Sequence, residues 1–363
     1  MPWTDIYGHD AILERFRRSV QLGRLPSTFL FVGPDGIGKR TFALRLAQAL
    51  LCETNPEKDF RSHQDFGSLT VETALEPCGV CSACQQVAAS THPDLLLVAK
   101  PADKSFIPLE LLIGDDEHRN REGLCHDISL KPFCGGRKVA IIDDADYFNQ
   151  EGANCLLKTL EEPPPKSVII LIGTSEQRQL PTIRSRSQIV RFRPLPIAVV
   201  ERLLLEKEIV SDPAEAAALA ALSDGSLAQA AELAESDVRE FRGRWLEFLA
   251  TAASPFLFAK EMSSFVDAAG KEAPPRRARM KQLARWGIDF FRHWMTRVSG
   301  VLATTDEAME RALLAAARGP QSAELAAAGL ERCLDAQAQV DANANQSTLI
   351  ECWLDDLAQL RRR

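Results

Sequence analysis

The chain has no apolar run that approaches the about 20 residues a membrane span requires. Its first residues, MPWTDIYGHD, lack the charged segment and apolar stretch that are typical of a signal peptide. It also has no excess of basic residues, because its 363 residues carry a formal net charge of −7. We therefore expect a cytoplasmic protein whose contacts with nucleic acid are local or shared with a partner.

Strand-like runs are missing from the second half of the chain. In the first half they alternate with helical patterns and read TFLFVG, DLLLVAK, KVAIIDDAD, SVIILIGTS and QIVRFRPL. Near-continuous runs of Val, Ile and Leu between helices predict a parallel sheet that is covered on both faces. The sequence therefore predicts an α/β domain at residues 1–194.

Helical patterns alone follow residue 194. An alanine-rich stretch predicts a small domain at 195–234, in which two short helices turn at Gly225. The remaining residues, 235–363, predict an all-helical domain. One of its helices has an apolar face that consists of Leu283, Trp286, Phe290, Phe291 and Trp294.

The stretch FLFVGPDGIGKRTFALRLAQALLC predicts a buried strand, a glycine loop and a helix. Gly33, Gly36 and Gly38 let the backbone turn tightly, so that its N–H groups and the start of the helix face a phosphate. Lys39 adds a mobile positive charge for the phosphates of a nucleotide. This spacing is typical of a phosphate-binding P-loop.

The groups that hold magnesium in such proteins are altered. Arg40 stands where a Ser or Thr hydroxyl normally binds Mg²⁺, and Thr41 is turned about 100° further around the helix. In VAIIDDAD, which has the form of a Walker B strand, Asp143 would hold the metal. Asp144 replaces the longer Glu that positions the attacking water. Hydrolysis is therefore compromised, whereas nucleotide binding stays open.

Nine cysteines in an intracellular chain indicate thiols or metal ligands rather than disulfides. The segment CGVCSAC places Cys78, Cys81 and Cys84 at two-residue gaps, which predicts three ligands of a structural zinc ion in a module at 52–84. Cys52 is the preferred fourth ligand. The alternatives for that position are His63, His92, Cys125 and Cys134.

These features occur together in one family. The stretch from Trp3 to Thr41, the four cysteines, NCLLKTLEEPPPKSVIILIGTS and LPTIRSRS resemble the clamp-loader subunits of bacterial DNA polymerase III, which are AAA+ proteins. The segment NANANQSTLIECWLDDL (Asn343 to Leu357) is similar to the last collar helix of the delta-prime type. The resemblance implies an AAA+ domain, a helical lid domain and a helical collar domain.

The resemblance also implies roles for single residues. Clamp loaders are five-subunit rings with nucleotide at the subunit interfaces, and an SRC motif sends an arginine finger into the neighbour's site. Here the motif reads Ser185-Arg186-Ser187, which implies that Arg186 is the finger. Thr174 takes the place of the first sensor, and Ala228 stands where the second-sensor arginine would be.

Three departures, at Arg40, Asp144 and Ala228, concern hydrolysis in cis, whereas Arg186 is retained for hydrolysis in trans. This combination resembles the delta-prime type of subunit, which is related to gamma/tau. It implies a part in loading the sliding clamp onto primed DNA during replication, with no ATP hydrolysis by the chain itself. The implied partners are gamma/tau ATPase subunits, the delta subunit, the clamp and DNA, without a membrane.

Other interpretations stay open. The chain could be an active gamma/tau-type ATPase or an independent AAA+ ATPase, and the three departures disfavour both. It could be a structural zinc protein with a vestigial loop, which the retained Arg186 disfavours. We interpret the basic run from Pro274 to Lys281 as a solvated helix start rather than a DNA site. The apparent insertions at 53–77 and 114–123 receive no function.

Overall fold

One parallel sheet organises the first half of the chain. The computed structural model describes residues 3, 6–54, 75–134, 136–300, 306–317 and 323–362. All five predicted strands are present, and their bounds are β1 Thr28–Val32, β2 Leu95–Val98, β3 Lys138–Ile142, β4 Ser167–Gly173 and β5 Gln188–Arg191. They pair in the order β2-β3-β4-β1-β5. The predicted α/β class is confirmed.

The strand order determines which loops meet. Strands β1, β3 and β4 lie inside the sheet and are buried at every position, which explains their unbroken apolar runs. Val32 is paired with Gly173, and Ile142 with Leu171, so all three strands end at the same edge. Ligands of open parallel sheets bind at this carboxyl edge. The P-loop, which follows β1, therefore lies close to the acidic segment that follows β3, Asp143 to Asp146.

Both faces of the sheet are covered, as predicted. Successive residues of β1 point to opposite faces. Phe29 and Phe31 pack in an aromatic cluster with Phe16, Phe42 and Phe192. The alternate β1 residues, Leu30 and Val32, belong to an aliphatic cluster that includes residues of the helix after β3.

Eight α-helices lie beside the sheet in the described part of residues 1–207. They are α1 Asp10–Gln21, α2 Lys39–Leu51, α3 Ser82–Ala88, α4 Glu110–Ile113, α5 Leu124–Ser129, α6 Gln150–Glu161, α7 Pro181–Arg184 and α8 Ile197–Glu206. A short 3₁₀ helix, Ala145–Tyr147, follows β3. Most of the insertion predicted at 53–77 lies outside the described residues, whereas 114–123 is an exposed loop between α4 and α5.

The rest of the described chain is helical, as the sequence predicts. Its helices are α9 Pro213–Leu222, α10 Leu227–Ala234, α11 Ser236–Thr251, α12 Pro255–Ala268, α13 Ala273–Val298, α14 Glu307–Ala316, α15 Ala323–Asp341 and α16 Gln346–Arg362. Gly225 lies in the turn between α9 and α10 with a φ of 76°. No helix in the described ranges is long and apolar enough to cross a membrane.

The structure divides into two compact units. The first consists of Met1–Lys207 and Ser223–Gln229, and the second of Glu208–Leu222 and Ala230–Arg363. The division into three domains at residues 194 and 234 stays a prediction.

The core of the second unit is rich in aromatic side chains. The five residues of the apolar face predicted for α13 are all buried. Trp245 of α11 and Trp353 of α16 pack with their ring centroids 5.1 Å apart.

Internal ion pairs engage most of the basic run at the start of α13. The Arg276 Nη1 atom lies 3.2 Å from the Asp267 carboxylate, and the Arg279 Nη2 atom lies 3.8 Å from that of Glu235. Lys281 is paired with Asp341. These pairs favour a helix start over a DNA site, but Arg276 and Arg279 are paired and half-buried rather than solvated as predicted.

Candidate functional site

The P-loop lies between β1 and α2. Strand β1 ends at Val32, and α2 begins at Lys39 directly after Gly38, whose φ is 94°. L-residues with a side chain rarely adopt this left-handed conformation, so the glycine allows the sharp entry into the helix. The Gly33 N–H group donates to the Thr174 carbonyl oxygen at 3.2 Å, which ties the loop to the end of β4. The predicted strand, loop and helix are therefore in place.

Lys39 is directed at its own loop. Its Nζ donates to the carbonyl oxygens of Gly33 and Pro34, both at 2.6 Å, and lies 3.8 Å from the Asp35 carboxylate. The residue is only 6% exposed, and burial lowers the pKa of its ammonium group. The charge that would contact the phosphates of a nucleotide already has partners in the chain.

A second segment of the first unit lies against the loop at Gly36. The Leu227 N–H group donates to the Gly36 carbonyl oxygen at 3.1 Å, and the Ser226 hydroxyl donates to the Asp35 carbonyl oxygen at 2.8 Å. A Cβ atom on Gly36 would lie 2.4 Å from Ser226 Oγ and 2.5 Å from Ala228 Cβ. Ala228, which stands where the second-sensor arginine is expected, thus places its methyl group against the loop.

Arg40 and Asp143 face each other at the position where magnesium is expected. The Arg40 Nε atom lies 3.6 Å from Asp143 Oδ2. The guanidinium group therefore supplies positive charge to the carboxylate that would hold the metal. Burial raises the pKa of the neighbouring Asp144 carboxyl, and Thr41 is exposed on α2.

Asp146 is a residue of this site that reasoning from the sequence left without a role. Its Oδ2 atom accepts a hydrogen bond from the Thr174 N–H group at 2.8 Å and another from the Thr174 hydroxyl. The Gln179 amide donates to the other oxygen. The candidate first sensor is therefore held by the last carboxylate of VAIIDDAD. Asp146 was visible in that motif, but its partner Thr174 directly follows a different strand, β4.

Arg186 lies just after α7 and is held by three groups. Its Nε donates to Glu161 Oε1 at 2.8 Å, and its Nη2 donates to the same oxygen. Its Nη1 donates to the Thr182 carbonyl oxygen at 3.0 Å and to the Ser185 hydroxyl at 3.1 Å. The side chain remains 31% exposed. Glu161 was within the quoted LLKTLEEPP motif, but the sequence did not connect it to Arg186.

The four cysteines of the predicted zinc site come together. The Sγ atoms of Cys52, Cys78, Cys81 and Cys84 all lie within 4.8 Å of one another. The Cys52–Cys81 and Cys78–Cys84 Sγ pairs are each 3.9 Å apart. Four sulfurs at the Zn–S distance in a tetrahedron would be about 3.8 Å apart. The donor set and its spacing fit a zinc ion.

Backbone groups support the thiolates of this cysteine centre. The N–H groups of Cys78, Cys81 and Cys84 point at the Sγ atoms of Cys52, Cys78 and Cys81 at 3.3–3.4 Å. Hydrogen bonds from the backbone of Val80 and Cys81 lower the pKa of the Cys78 thiol to about 6. Burial raises the pKa of the Cys84 thiol, so its thiolate needs a nearby cation.

The alternative ligands have other surroundings. His92 Nδ1 accepts a hydrogen bond from the Asp94 N–H group, and the Cys134 N–H group donates to the Asp94 carboxylate. Cys125 Sγ lies 3.8 Å from the Cys155 carbonyl oxygen. His63 lies outside the described residues. Among the described candidates, Cys52 is the one that joins the other three cysteines.

The parallel sheet, the P-loop after β1 and the acidic segment after β3 define a P-loop α/β protein. The chain belongs to the family described as "DNA polymerase III, delta subunit", whose sequence profile matches residues 8–196.

Individual relatives agree with this membership. The chain is 37% identical over 221 residues to the DNA polymerase III subunit delta' of Pseudomonas aeruginosa, covering 60% of this chain and 59% of that protein. It is 30% identical to subunit delta' of Bacillus subtilis, covering 62% of this chain and 59% of that one. It thus spans less than two thirds of the length of both relatives.

Among solved structures, a DNA polymerase III gamma subunit-related protein of Thermotoga maritima aligns with a TM-score of 0.39 and 17% identity, over 97% of this chain and 99% of the other. A likeness this loose carries no argument about function.

Proposed function

We propose that this chain is a delta-prime-type subunit of the DNA polymerase III clamp loader. It does not hydrolyse ATP itself, and it contributes to hydrolysis only in trans, through Arg186. The observation that carries the proposal is the contrast between two sets of cations. Lys39 and Arg40 face oxygens of their own P-loop and acidic segment. The half-buried guanidinium of Arg186 is bonded instead to Glu161 and to groups at the end of α7, and 31% of its side chain stays exposed.

The contacts at the P-loop oppose hydrolysis in cis. A nucleotide would have to replace the two carbonyl oxygens that Lys39 Nζ contacts. A magnesium ion at Asp143 would also meet the positive charge of Arg40, which offers no ligand atom. Both features favour the non-hydrolysing interpretation over an active gamma/tau-type ATPase.

Arg186 has the properties that an arginine finger needs. Its guanidinium is always charged and presents several N–H donors in a planar fork. Such a group stabilises the negative charge on phosphate oxygens during phosphoryl transfer, an effect of about 10³–10⁵ in rate in other systems. In the proposed ring, Arg186 completes the ATP site of an adjacent gamma/tau subunit.

The proposed role is allosteric as well as catalytic. ATP at the neighbouring site would favour the ring arrangement in which Arg186 contacts its phosphates, so that binding energy at one interface biases the whole assembly. The proposed partners are gamma/tau and delta subunits, the sliding clamp and primed DNA. The helical second unit would supply the collar contacts.

The cysteine centre has a structural role in this proposal. Its four Sγ donors would close the coordination of a zinc ion and leave no open position for chemistry. It would fix the start of α3 to the end of α2.

The test is ATP turnover by the reconstituted loader, with its ATPase subunits, clamp and primed DNA. We expect Arg186→Ala to lower turnover on the order of tenfold or more with assembly intact. The matched control is Arg184→Ala, because Arg184 is an exposed arginine two positions earlier. Unchanged turnover in Arg186→Ala would remove Arg186 from any active site. Hydrolysis by this chain alone would favour the active-ATPase interpretation.

A further inference from the structure

The partner of Arg186 is a carboxylate on another element. Glu161 is the last residue of α6, and its Oε1 atom accepts hydrogen bonds from both Nε and Nη2 of Arg186. We propose that Glu161 is a positioning residue that holds the Arg186 guanidinium in the orientation needed at the neighbouring ATP site. This inference rests on the proposed function of Arg186 in trans.

The sequence places Glu161 on a rigid support. Helix α6 is anchored by Leu156 and Leu160, which are buried in the aliphatic cluster under the sheet. Three consecutive prolines begin at Pro163, and a residue before proline is driven out of helical conformation, so the helix ends at Glu161. The carboxylate therefore lies at a fixed point beside α7.

A carboxylate at this position is unfavourable for α6 unless a cation compensates its charge. The carboxyl end of a helix carries partial negative charge, which repels a Glu side chain in the last turn. The guanidinium of Arg186 compensates that charge. The helix itself therefore gives no reason for an acidic residue at its end.

The remaining contacts leave one N–H group of the guanidinium available. Arginine has five N–H donors. Glu161 takes one on Nε and one on Nη2, whereas the Thr182 carbonyl and the Ser185 hydroxyl accept from Nη1. In the described part of the chain, these bonds leave the second hydrogen of Nη2 without an acceptor. A long flexible side chain is thus held by groups of α6 and α7 before it meets a ligand.

An exposed ion pair stabilises a fold only slightly, so unfolding of the isolated chain is a weak readout. Turnover by the complete loader is the informative one. We expect Glu161→Ala to lower kcat roughly tenfold and to change the KM for ATP by less than about twofold, because a misplaced guanidinium loses contact mainly in the transition state. Glu161→Gln retains an acceptor without the charge and should give an intermediate loss.

Two comparisons separate positioning from a general structural effect. Glu162→Ala removes the adjacent exposed carboxylate and should leave turnover unchanged. In an Arg186→Ala background, Glu161→Ala should cause no further loss, because Glu161 acts only through Arg186. Assembly of each variant is checked by size-exclusion chromatography.

The outcomes distinguish this inference from the function on which it rests. If Arg186→Ala lowers turnover and Glu161→Ala does not, the positioning role is wrong and the arginine finger stands. A rise in turnover for Glu161→Ala would show that the ion pair restrains Arg186, which also overturns the inference. If Arg186→Ala itself has no effect, the proposed function fails first.

Discussion

The two ends of helix α2 hold their charged groups in opposite ways. At its amino end, the Lys39 ammonium is bonded to carbonyl oxygens of the P-loop, and Arg40 faces the Asp143 carboxylate. At its carboxyl end, Cys52 joins three other cysteines whose sulfurs lie only a few ångströms apart. The positive charges at the amino end therefore already face oxygens of the chain. The four sulfurs at the carboxyl end have no positive charge among them.

This difference shows which of the two candidate sites needs a ligand. A buried cation that is paired with internal oxygens is satisfied without any bound molecule. Four convergent thiols become a stable group only when a cation offsets the charge of their thiolates. The P-loop thus keeps its shape with its lysine bonded to oxygens of the chain, whereas the four cysteines are arranged as a group that could hold a metal ion.

The largest expected effect is at the cysteine centre. Cys84→Ser removes one of four Sγ donors, so we expect zinc bound to the purified chain to fall from one per chain to a small fraction. Since binding of a structural metal contributes directly to folding, the free energy of unfolding should fall by several kcal/mol. Metal analysis and thermal unfolding measure the two effects.

Cys352→Ser is the matched control, because Cys352 is an exposed cysteine of α16 in the second unit. It should retain the zinc and the unfolding temperature of the unaltered chain. A purified, unaltered chain that carries no more zinc than Cys84→Ser would contradict the contrast between the two ends of α2.

A smaller effect is expected at the P-loop itself. Gly36 has a φ of 73°, and a Cβ atom added to it would lie 2.4 Å from Ser226 Oγ and 2.5 Å from Ala228 Cβ. In Gly36→Ala, the alanine would have to adopt a left-handed backbone conformation, and its Cβ atom would displace this segment. We expect the free energy of unfolding to fall by about 1–3 kcal/mol, measured by denaturant titration.

A second glycine provides the control for the same substitution. Gly243 lies within helix α11, and a Cβ there would meet no atom within 4 Å. Gly243→Ala should therefore stabilise the chain by about 0.5–1 kcal/mol. If both variants are equally stable, the segment does not close on Gly36 in solution, and the loop is more accessible than the structure indicates.

Local patterns were sufficient to predict the strands, the P-loop and the cysteine group. Each of these features is encoded in one short stretch, such as the run of β4 or the spacing of CGVCSAC. The choice of Cys52 as the fourth cysteine needed only the end of the helix that follows the P-loop. The order of the strands in the sheet could not be read from any of these stretches.

The partners of the functional side chains were beyond sequence reasoning. Arg186 and Glu161 are 25 positions apart, and Asp146 and Thr174 are 28 positions apart. Ser226 reaches the P-loop across 191 positions. Such pairs arise from the order in which strands and helices pack, and residue type alone does not specify them. Glu161 and Asp146 were therefore present in quoted motifs without an assigned role.

The smallest expected effect concerns Arg40. The Arg40 side chain is 60% exposed and its Nε atom lies as far as 3.6 Å from the half-buried Asp143 carboxylate, so Arg40→Thr should change the free energy of unfolding by less than about 1 kcal/mol. The substitution restores a hydroxyl beside Asp143 and removes the opposing charge. In Arg40→Thr, we expect Mg²⁺ to strengthen any binding of ADP by about tenfold or less, because Lys39 and Gly36 keep their contacts.

Calorimetric titration of ADP in MgCl₂ and in EDTA measures the ratio of the two affinities. Arg40→Lys is the control, because lysine has the charge but no hydroxyl. Magnesium that already strengthened ADP binding to the unaltered chain would show that Arg40 does not take its place, and the amino end of α2 would then need a ligand after all.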